Sequence, residues 1–256
     1  MLTEEQIERF SRHILLREVG GVGQEKLLAS KVLLVGAGGL GSPAALYLTA
    51  AGVGTLGLCD FDTVSLSNLQ RQVLYGTQDV GRPKIERAAE RLRGIWPEVK
   101  LDLIGERLTP ENARRLIRGY DVVIEGSDNF ETKFLVSDAC VAEKKPAVIG
   151  GILRWHGQIL TVVPGAACYR CLFERPPPAG TAPTCAQAGV IGALAGLVGS
   201  IQAAEAIKLL LGIGEPLRSR LLTIEALGGL FREVPLGRRE SCEACGEKLL
   251  NPTRNW

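Results

Sequence analysis

Apolar residues along this chain come in two rhythms. Short runs rich in Val, Leu and Ile occupy 31–36, Thr55–Cys59, Leu101–Glu106, Asp121–Glu125 and Ala147–Gly150. Compact apolar runs bounded by Gly, Pro and Asp predict strands. Between them, apolar positions three and four apart predict helices over Ser42–Ala51, Arg82–Ile95, Glu111–Arg118 and Phe130–Ala142. Pro83 stands at the start of the second helix and Pro97 just past its end, where a missing amide does least harm. Strand and helix in turn predict an α/β fold, a Rossmann-like, mainly parallel sheet with helices on both faces.

After Gly151 the pattern changes. His156–Val163, Arg220–Ile224 and Leu230–Val234 read as strands that continue the sheet in antiparallel fashion. The apolar stretch Val190–Ile213 would attract a hydropathy scan, but Gln202, Glu205 and Lys208 recur in it at helical spacing among several glycines. A buried amphipathic helix, not a membrane span, accounts for them. Glu174–Pro183, with Pro176, Pro177 and Pro178, can neither pair nor continue a helix, so an exposed, mobile crossing is expected. No linker interrupts the pattern. The expectation is one unit: a helical region at 1–30, a first half at 31–150 and a second half at 151–256.

Composition adds limits. At 256 residues and 46% hydrophobic, the chain can bury one large core. With 30 Lys and Arg against 28 Asp and Glu, it lacks the charge footprint of a nucleic-acid or anionic-membrane binder. Met1–Phe10 is charged and has no apolar signal core, so cytoplasmic residence is expected.

The candidate chemistry begins at Gly36, Gly38 and Gly41, a GxGxxG between a predicted strand and a predicted helix, with Asp60 lying 19 residues beyond the last glycine. Glycines let backbone amides approach phosphate at a helix N-terminus, and the acid can accept ribose hydroxyls. NAD and ATP both suit that fingerprint. The polar insertion from Asp60 to Gln72 favours ATP, because a dehydrogenase needs only a short turn there. Expelling pyrophosphate requires charge neutralisation around the α-phosphate. Arg71 and Lys84 are candidate cations, and Asp128, just past the strand Val122–Glu125, is a candidate Mg²⁺ ligand.

Seven cysteines without a signal peptide point to metal or chemistry, not disulfides. Cys168/Cys171 and Cys242/Cys245 form two CxxC pairs about seventy residues apart. Four thiolates suit a closed zinc site; by spacing alone a redox pair or two unrelated turns remain open. Cys59 and Cys140 fall in apolar patterns and read as core.

Taken together, these stretches resemble the MoeB/ThiF family, bacterial relatives of the ubiquitin-activating enzymes. The resemblance spans nearly the whole chain. It is carried by Ser11-Arg12-His13-Ile14, the glycine turn Gly36–Gly41, Asp60 to Gln72, Arg82-Pro83-Lys84 and Ser127-Asp128-Asn129, then by Cys168-Tyr169-Arg170-Cys171, Thr184 to Val190 and Cys242-Glu243-Ala244-Cys245. It implies adenylation, with release of pyrophosphate, of the C-terminal glycine of a small ubiquitin-like sulfur carrier ending in Gly-Gly, in molybdenum cofactor, thiamine or tRNA-thiolation pathways.

By the same resemblance, Gly39 and Asp60 hold ATP, and Ser67, Asn68, Leu69, Gln70 and Arg71 with Lys84 engage ribose and phosphates. Asp62 and Asn129 fall in the same matched stretches, and Asp128 binds Mg²⁺. Arg12 resembles an arginine that enters the partner's ATP site, which implies a homodimer. The four paired cysteines are implied to bind Zn²⁺. Cys185 matches a cysteine that forms a thioester or acyl-persulfide link in some relatives and is dispensable for adenylation in others. The chain ends at Trp256 with no rhodanese-like domain, so a separate sulfur donor, a cysteine desulfurase or rhodanese, is expected.

Three rivals remain. An NAD-dependent oxidoreductase shares the glycines but leaves Arg71, Lys84, Asp128 and the cysteines unexplained. A non-enzymatic zinc adaptor leaves the nucleotide site unexplained. A tRNA threonylcarbamoyladenosine dehydratase also activates a carboxylate with ATP; the CxxC pairs and near-neutral charge favour a protein substrate over tRNA. Cys185→Ser is expected to leave ATP–pyrophosphate exchange intact while lowering sulfur incorporation into the carrier; undiminished sulfur transfer, read by mass, would remove Cys185 from the chemistry.

Overall fold

The computed structural model describes residues 1–178, 180, 181, 183 and 185–246, the side chains of Cys185 and Ala186 excepted. The chain opens with helices α1 (Glu4–Arg9), α2 (Ser11–Ile14) and α3 (Gly20–Ala29). Thr3 and Gln6 form a reciprocal capping box at α1, meeting amides that would otherwise lack partners. Then follow β1 (Lys31–Val35), α4 (Gly41–Ala50), β2 (Thr55–Cys59), α5 (Lys84–Ile95), β3 (Lys100–Ile104), α6 (Pro110–Arg118), β4 (Val122–Glu125), α7 (Phe130–Ala142) and β5 (Ala147–Leu153). Beyond them come β6 (His156–Val162), α8 (Tyr169–Leu172), α9 (Cys185–Ala188), α10 (Gly192–Leu211), β7 (Arg220–Glu225) and β8 (Leu230–Pro235).

One sheet of eight strands results, in the order β3-β2-β1-β4-β5-β6-β7-β8. Pairing is parallel from β3 to β5 and antiparallel from β5 to β8. The mainly parallel sheet with an antiparallel continuation agrees with the sequence pattern. Because side chains alternate across a strand, β1 sends Val32 and Leu34 into one core with Leu48 and Leu194, and Leu33 and Val35 into a second with Ile117 and Phe134. Both faces are therefore covered, which explains why β1 reads as an unbroken apolar run.

Most element ends shift by a residue or so from the sequence reading, and β5 runs on to Leu153 where pairing with β6 continues; two further shifts have a local cause. The helix expected from Arg82 starts at Lys84, since Val64 N–H donates to Arg82 O at 2.9 Å and Lys84 N–H to Asp62 O at 3.0 Å. That short antiparallel contact holds 82–84 extended, and a residue before proline avoids the helical region in any case. The strand expected to reach Glu106 ends at Ile104, where pairing with β2 stops at Cys59.

The long apolar segment is α10, 20 residues whose length and hydropathy alone would allow a membrane crossing. Here it crosses the sheet. Gln202, fully buried, donates to Glu125 O at 2.8 Å and Val148 O at 3.0 Å. Glu205 accepts from Thr161 Oγ1 at 2.8 Å and Leu217 N–H at 2.7 Å. The Gln202 amide nitrogen and the Glu205 carboxylate are thus met inside the protein, in keeping with the amphipathic reading, while Gln202 Oε1 has no partner among the described residues. Of the Pro-rich crossing, Ala179 and Ala182 lie outside the described residues; the described ones carry no helix or strand.

α10 comes close to α4 at Gly199, where a Cβ would lie 2.3 Å from Leu40 O and 2.5 Å from Pro43. Gly199→Ala is expected to lower stability by about 1–3 kcal/mol, the usual cost of overpacking; an unchanged thermal midpoint would mean that the two helices part freely.

Candidate functional site

β1 and β4 are neighbours, but α4 packs on one face of the sheet and α7 on the other. Their departure to opposite sides opens a crevice at the carboxyl ends of the strands, the place where such sheets take ligands. A cavity of about 1460 Å³ occupies it and extends over β5, β6 and β7.

The glycine turn forms one wall. Gly36 takes φ +91°, a conformation that side chains disfavour. Gly41 lies so close to it that a Cβ would sit 1.9 Å from Gly36 O. Asp60 holds this turn: its Oδ2 accepts Ala37 N–H at 2.8 Å and its Oδ1 accepts Asp62 N–H at 2.9 Å. Tyr75 OH adds a bond to Ala37 O at 2.8 Å.

The insertion after β2 supplies the cations. Lys84 is buried and its Nζ sits 3.0 Å from Asp62 Oδ2, while Arg71 donates to Ser67 O at 3.0 Å. Both line the cavity together with Gly36, Gly38, Gly39, Asp60 and Asp62. Gly41, Ser67, Asn68, Leu69 and Gln70 do not. They build the support: Asn68 Oδ1 accepts Ser65 N–H at 3.2 Å, and Gln70 O lies where a side chain at Gly192 would clash.

Across the crevice, Asp128 is exposed at the lip and Asn129 caps α7, accepting Thr132 N–H at 2.9 Å. Arg12 is exposed on α2 and is not part of this cavity's lining. His13 reaches Gln24 at 3.3 Å, a packing role, whereas His156 lies on the cavity wall at the start of β6.

Several lining residues went unread in the sequence. Gln72 is 4% exposed, and among the described residues its Oε1 has no partner. Tyr169 OH is likewise buried without one on the cavity wall. Unpaired buried polar groups beside a cavity are costly unless a ligand or water meets them. Phe61, exposed next to Asp60, carries the Arg107 guanidinium 5.1 Å above its ring. Beneath the floor, Lys133 pairs with Glu125, whose carboxyl burial pushes up while the ammonium pulls it down. Nothing in the local pattern distinguishes Lys133 or Gln72 from surface residues.

The four paired cysteines meet in space. All are buried, with Sγ separations of 4.0 Å for Cys168–Cys171, 3.6 Å for Cys168–Cys242 and 3.5 Å for Cys171–Cys245. A tetrahedral zinc with bonds near 2.3 Å sets its sulfurs about 3.8 Å apart, so the donor set fits. At Cys242 burial pushes the thiol up, but the amides of Cys245 and Ala244 together with hydrogen bonds from the Cys168 and Cys245 thiols outweigh it and lower the thiol to about 7. Arg239 N–H approaches Cys171 Sγ at 3.5 Å, and Arg170, between the first two cysteines, grips Asp138 at 2.8–3.0 Å. Cys59 and Cys140 are pushed up to about 12 by burial, which makes them inert. The Cys185 side chain lies outside the described residues.

A model of the ThiF family matches residues 10–244. The chain is 48% identical over 252 residues to a sulfur carrier protein adenylyltransferase of Thermus thermophilus, covering 96% of this chain and 93% of that one. It is 49% identical over 242 residues to a SAMP-activating enzyme E1 of Haloferax volcanii, covering 94% and 90%. A crystal structure of E. coli MccB with MccA-N7isoASN shares the fold at a TM-score of 0.83 and 23% identity, over 93% of this chain and 75% of that one.

Protein purified without chelators is expected to carry about one zinc per chain, and Cys242→Ser to lower that content and the thermal midpoint together. Full midpoint without metal, measured by elemental analysis and calorimetry, would assign the cysteines to packing alone.

Proposed function

The chain belongs to the ThiF family, and from that premise we propose that it adenylates the C-terminal glycine carboxylate of a small ubiquitin-like sulfur carrier, spending ATP and releasing pyrophosphate. The observation that carries this reading is one continuous cavity, with Asp60 and the glycine turn, Lys84 and Arg71 on one side and Asp128 on the other. It extends over β6 and β7, where in this reading the carrier's extended tail lies.

In this reading a carboxylate oxygen of the carrier attacks the α-phosphorus. The bond to the bridging oxygen breaks, and pyrophosphate departs with the electron pair. No enzyme nucleophile is needed; the protein aligns the two groups and offsets charge. Gly38 and Gly39 let the backbone come near phosphate, Asp60 faces the ribose, and Arg71 and Lys84 neutralise the phosphates. Mg²⁺, held by Asp128, would screen the triphosphate and help the leaving group go. The ordered acyl-adenylate is the form from which sulfur later displaces AMP.

The same proposal covers the assembly. Arg12, exposed and absent from its own cavity, enters the ATP site of a second copy, so the working form is a homodimer. The zinc pins the segment after β8 to α8, at the foot of the crossing that leads to Cys185. Sulfur enters afterwards from a cysteine desulfurase or rhodanese, in a cytoplasmic molybdenum cofactor, thiamine or tRNA-thiolation pathway.

Incubating the enzyme with ATP, Mg²⁺ and purified Gly-Gly carriers should add AMP to the mass of at least one of them. Asp128→Ala and Arg71→Ala should each slow that addition by about two orders of magnitude, the usual cost of losing one charge-stabilising group. Saturable binding of NADH with none of ATP would overturn the reading.

A further inference from the structure

Below the cavity floor lies a charged pair that the adenylation chemistry does not call on directly. Glu125 ends β4 with a fully buried side chain, and Lys133 reaches it from the second turn of α7 at 2.6 Å. Burying two charges seldom stabilises more than a well-packed apolar pair, and it is tolerable only when every remaining donor and acceptor is met. Here each is met, and largely by one residue. Lys133 Nζ donates its other protons to Ser127 O at 2.7 Å and Gly150 O at 2.6 Å. The second oxygen of Glu125 accepts Ser127 N–H at 2.8 Å.

Ser127 is therefore gripped at both backbone groups, its N–H by the carboxylate and its carbonyl by the ammonium. That carbonyl belongs to the planar peptide that leads into Asp128. On the other side, Asn129 is fixed as the cap of α7. Asp128, between these anchors, is exposed at the cavity lip. The bond to Gly150 joins the same ammonium to β5, whose next residues, Gly151 and Ile152, line the cavity.

We propose that the Glu125–Lys133 pair is a positioning device for Asp128: by clamping both sides of Ser127, it fixes the peptide plane that presents the Asp128 carboxylate to the metal accompanying ATP. The inference rests on the reading of Asp128 as the metal-binding carboxylate. An apolar pair could serve stability; it could not hold Ser127.

Removing Lys133 alone would strand a buried carboxylate, so the informative variant is the neutral, nearly isosteric Glu125→Gln/Lys133→Met, with Lys133→Arg beside it to restore the charge. Amide hydrogen exchange of Ser127–Asn129 should quicken by about tenfold in the double variant, while the interior amides of β1 and β5 stay protected. With a purified Gly-Gly carrier and ATP, the Mg²⁺ concentration for half-maximal adduct formation should rise and kcat should fall, each by roughly tenfold. Half-saturation by carrier should not move, and Lys133→Arg should recover part of both losses. A folded double variant with the wild-type exchange rate at Ser127–Asn129, or with the wild-type Mg²⁺ requirement, overturns the proposal. If the wild type forms no adduct with any carrier, the adenylation reading fails, and the exchange measurement still decides whether the pair clamps the loop.

Discussion

Parallel strands cannot be joined by tight turns, so each connection must climb over a face of the sheet, and where successive connections climb over opposite faces a gap is left between them. In this protein the gap falls between β1 and β4, and the rest of the molecule is arranged around it. The glycine turn after β1 and the loop after β4 are its two lips. Gly36 and Gly41 approach so closely that the first lip could not be built with ordinary residues. Asp60, at the end of β2, then holds the turn from the side. A carboxylate that suits a ribose is thus already employed in shaping the turn that suits a phosphate, and one substitution there would disturb both.

The floor of the gap is polar, which a core would normally avoid. Glu125, Lys133 and Gln202 meet there, linked by bonds of 2.6–2.8 Å. Each joins elements that hydrophobic packing alone would leave free to slide: β4 to α7, and β4 and β5 to α10. Apolar contact is non-directional and fixes distance more than orientation. Hydrogen bonds fix orientation, and orientation is what a lip carrying Asp128 requires. Gln72 and Tyr169, which line the cavity, keep buried polar atoms without partners among the described residues.

The cysteine cluster works at a distance from this crevice yet touches it. Tyr169 and Arg170 lie between Cys168 and Cys171; the first lines the cavity and the second is bound to Asp138 on α7. Arg239 ties the segment beyond β8 to Arg170 O at 2.7 Å. Four thiols brought together from two distant parts of the chain therefore brace the helix whose cap follows Asp128. β8 itself is exposed along its whole length, so pairing with β7 and the cysteines are what hold the end of the described chain.

Residues 31–150 gave up most of their architecture to simple pattern, because strands buried on both faces and helices with one apolar face leave clear rhythms, and because the glycines and Asp60 announce chemistry by spacing. The family resemblance extended this to residues expected to hold nucleotide, of which Asp60, Asp62, Arg71 and Lys84 line one cavity. What the sequence could not reveal is which polar residues turn inward. Lys133 and Gln72 sit in stretches where exposure would be the default, Pro83 leads α5 without entering it, and Ser67 to Gln70 support the wall instead of lining it. These outcomes depend on partners far along the chain, Gly150 for Lys133 and Gly192 for Gln70, and only the folded chain brings such pairs together.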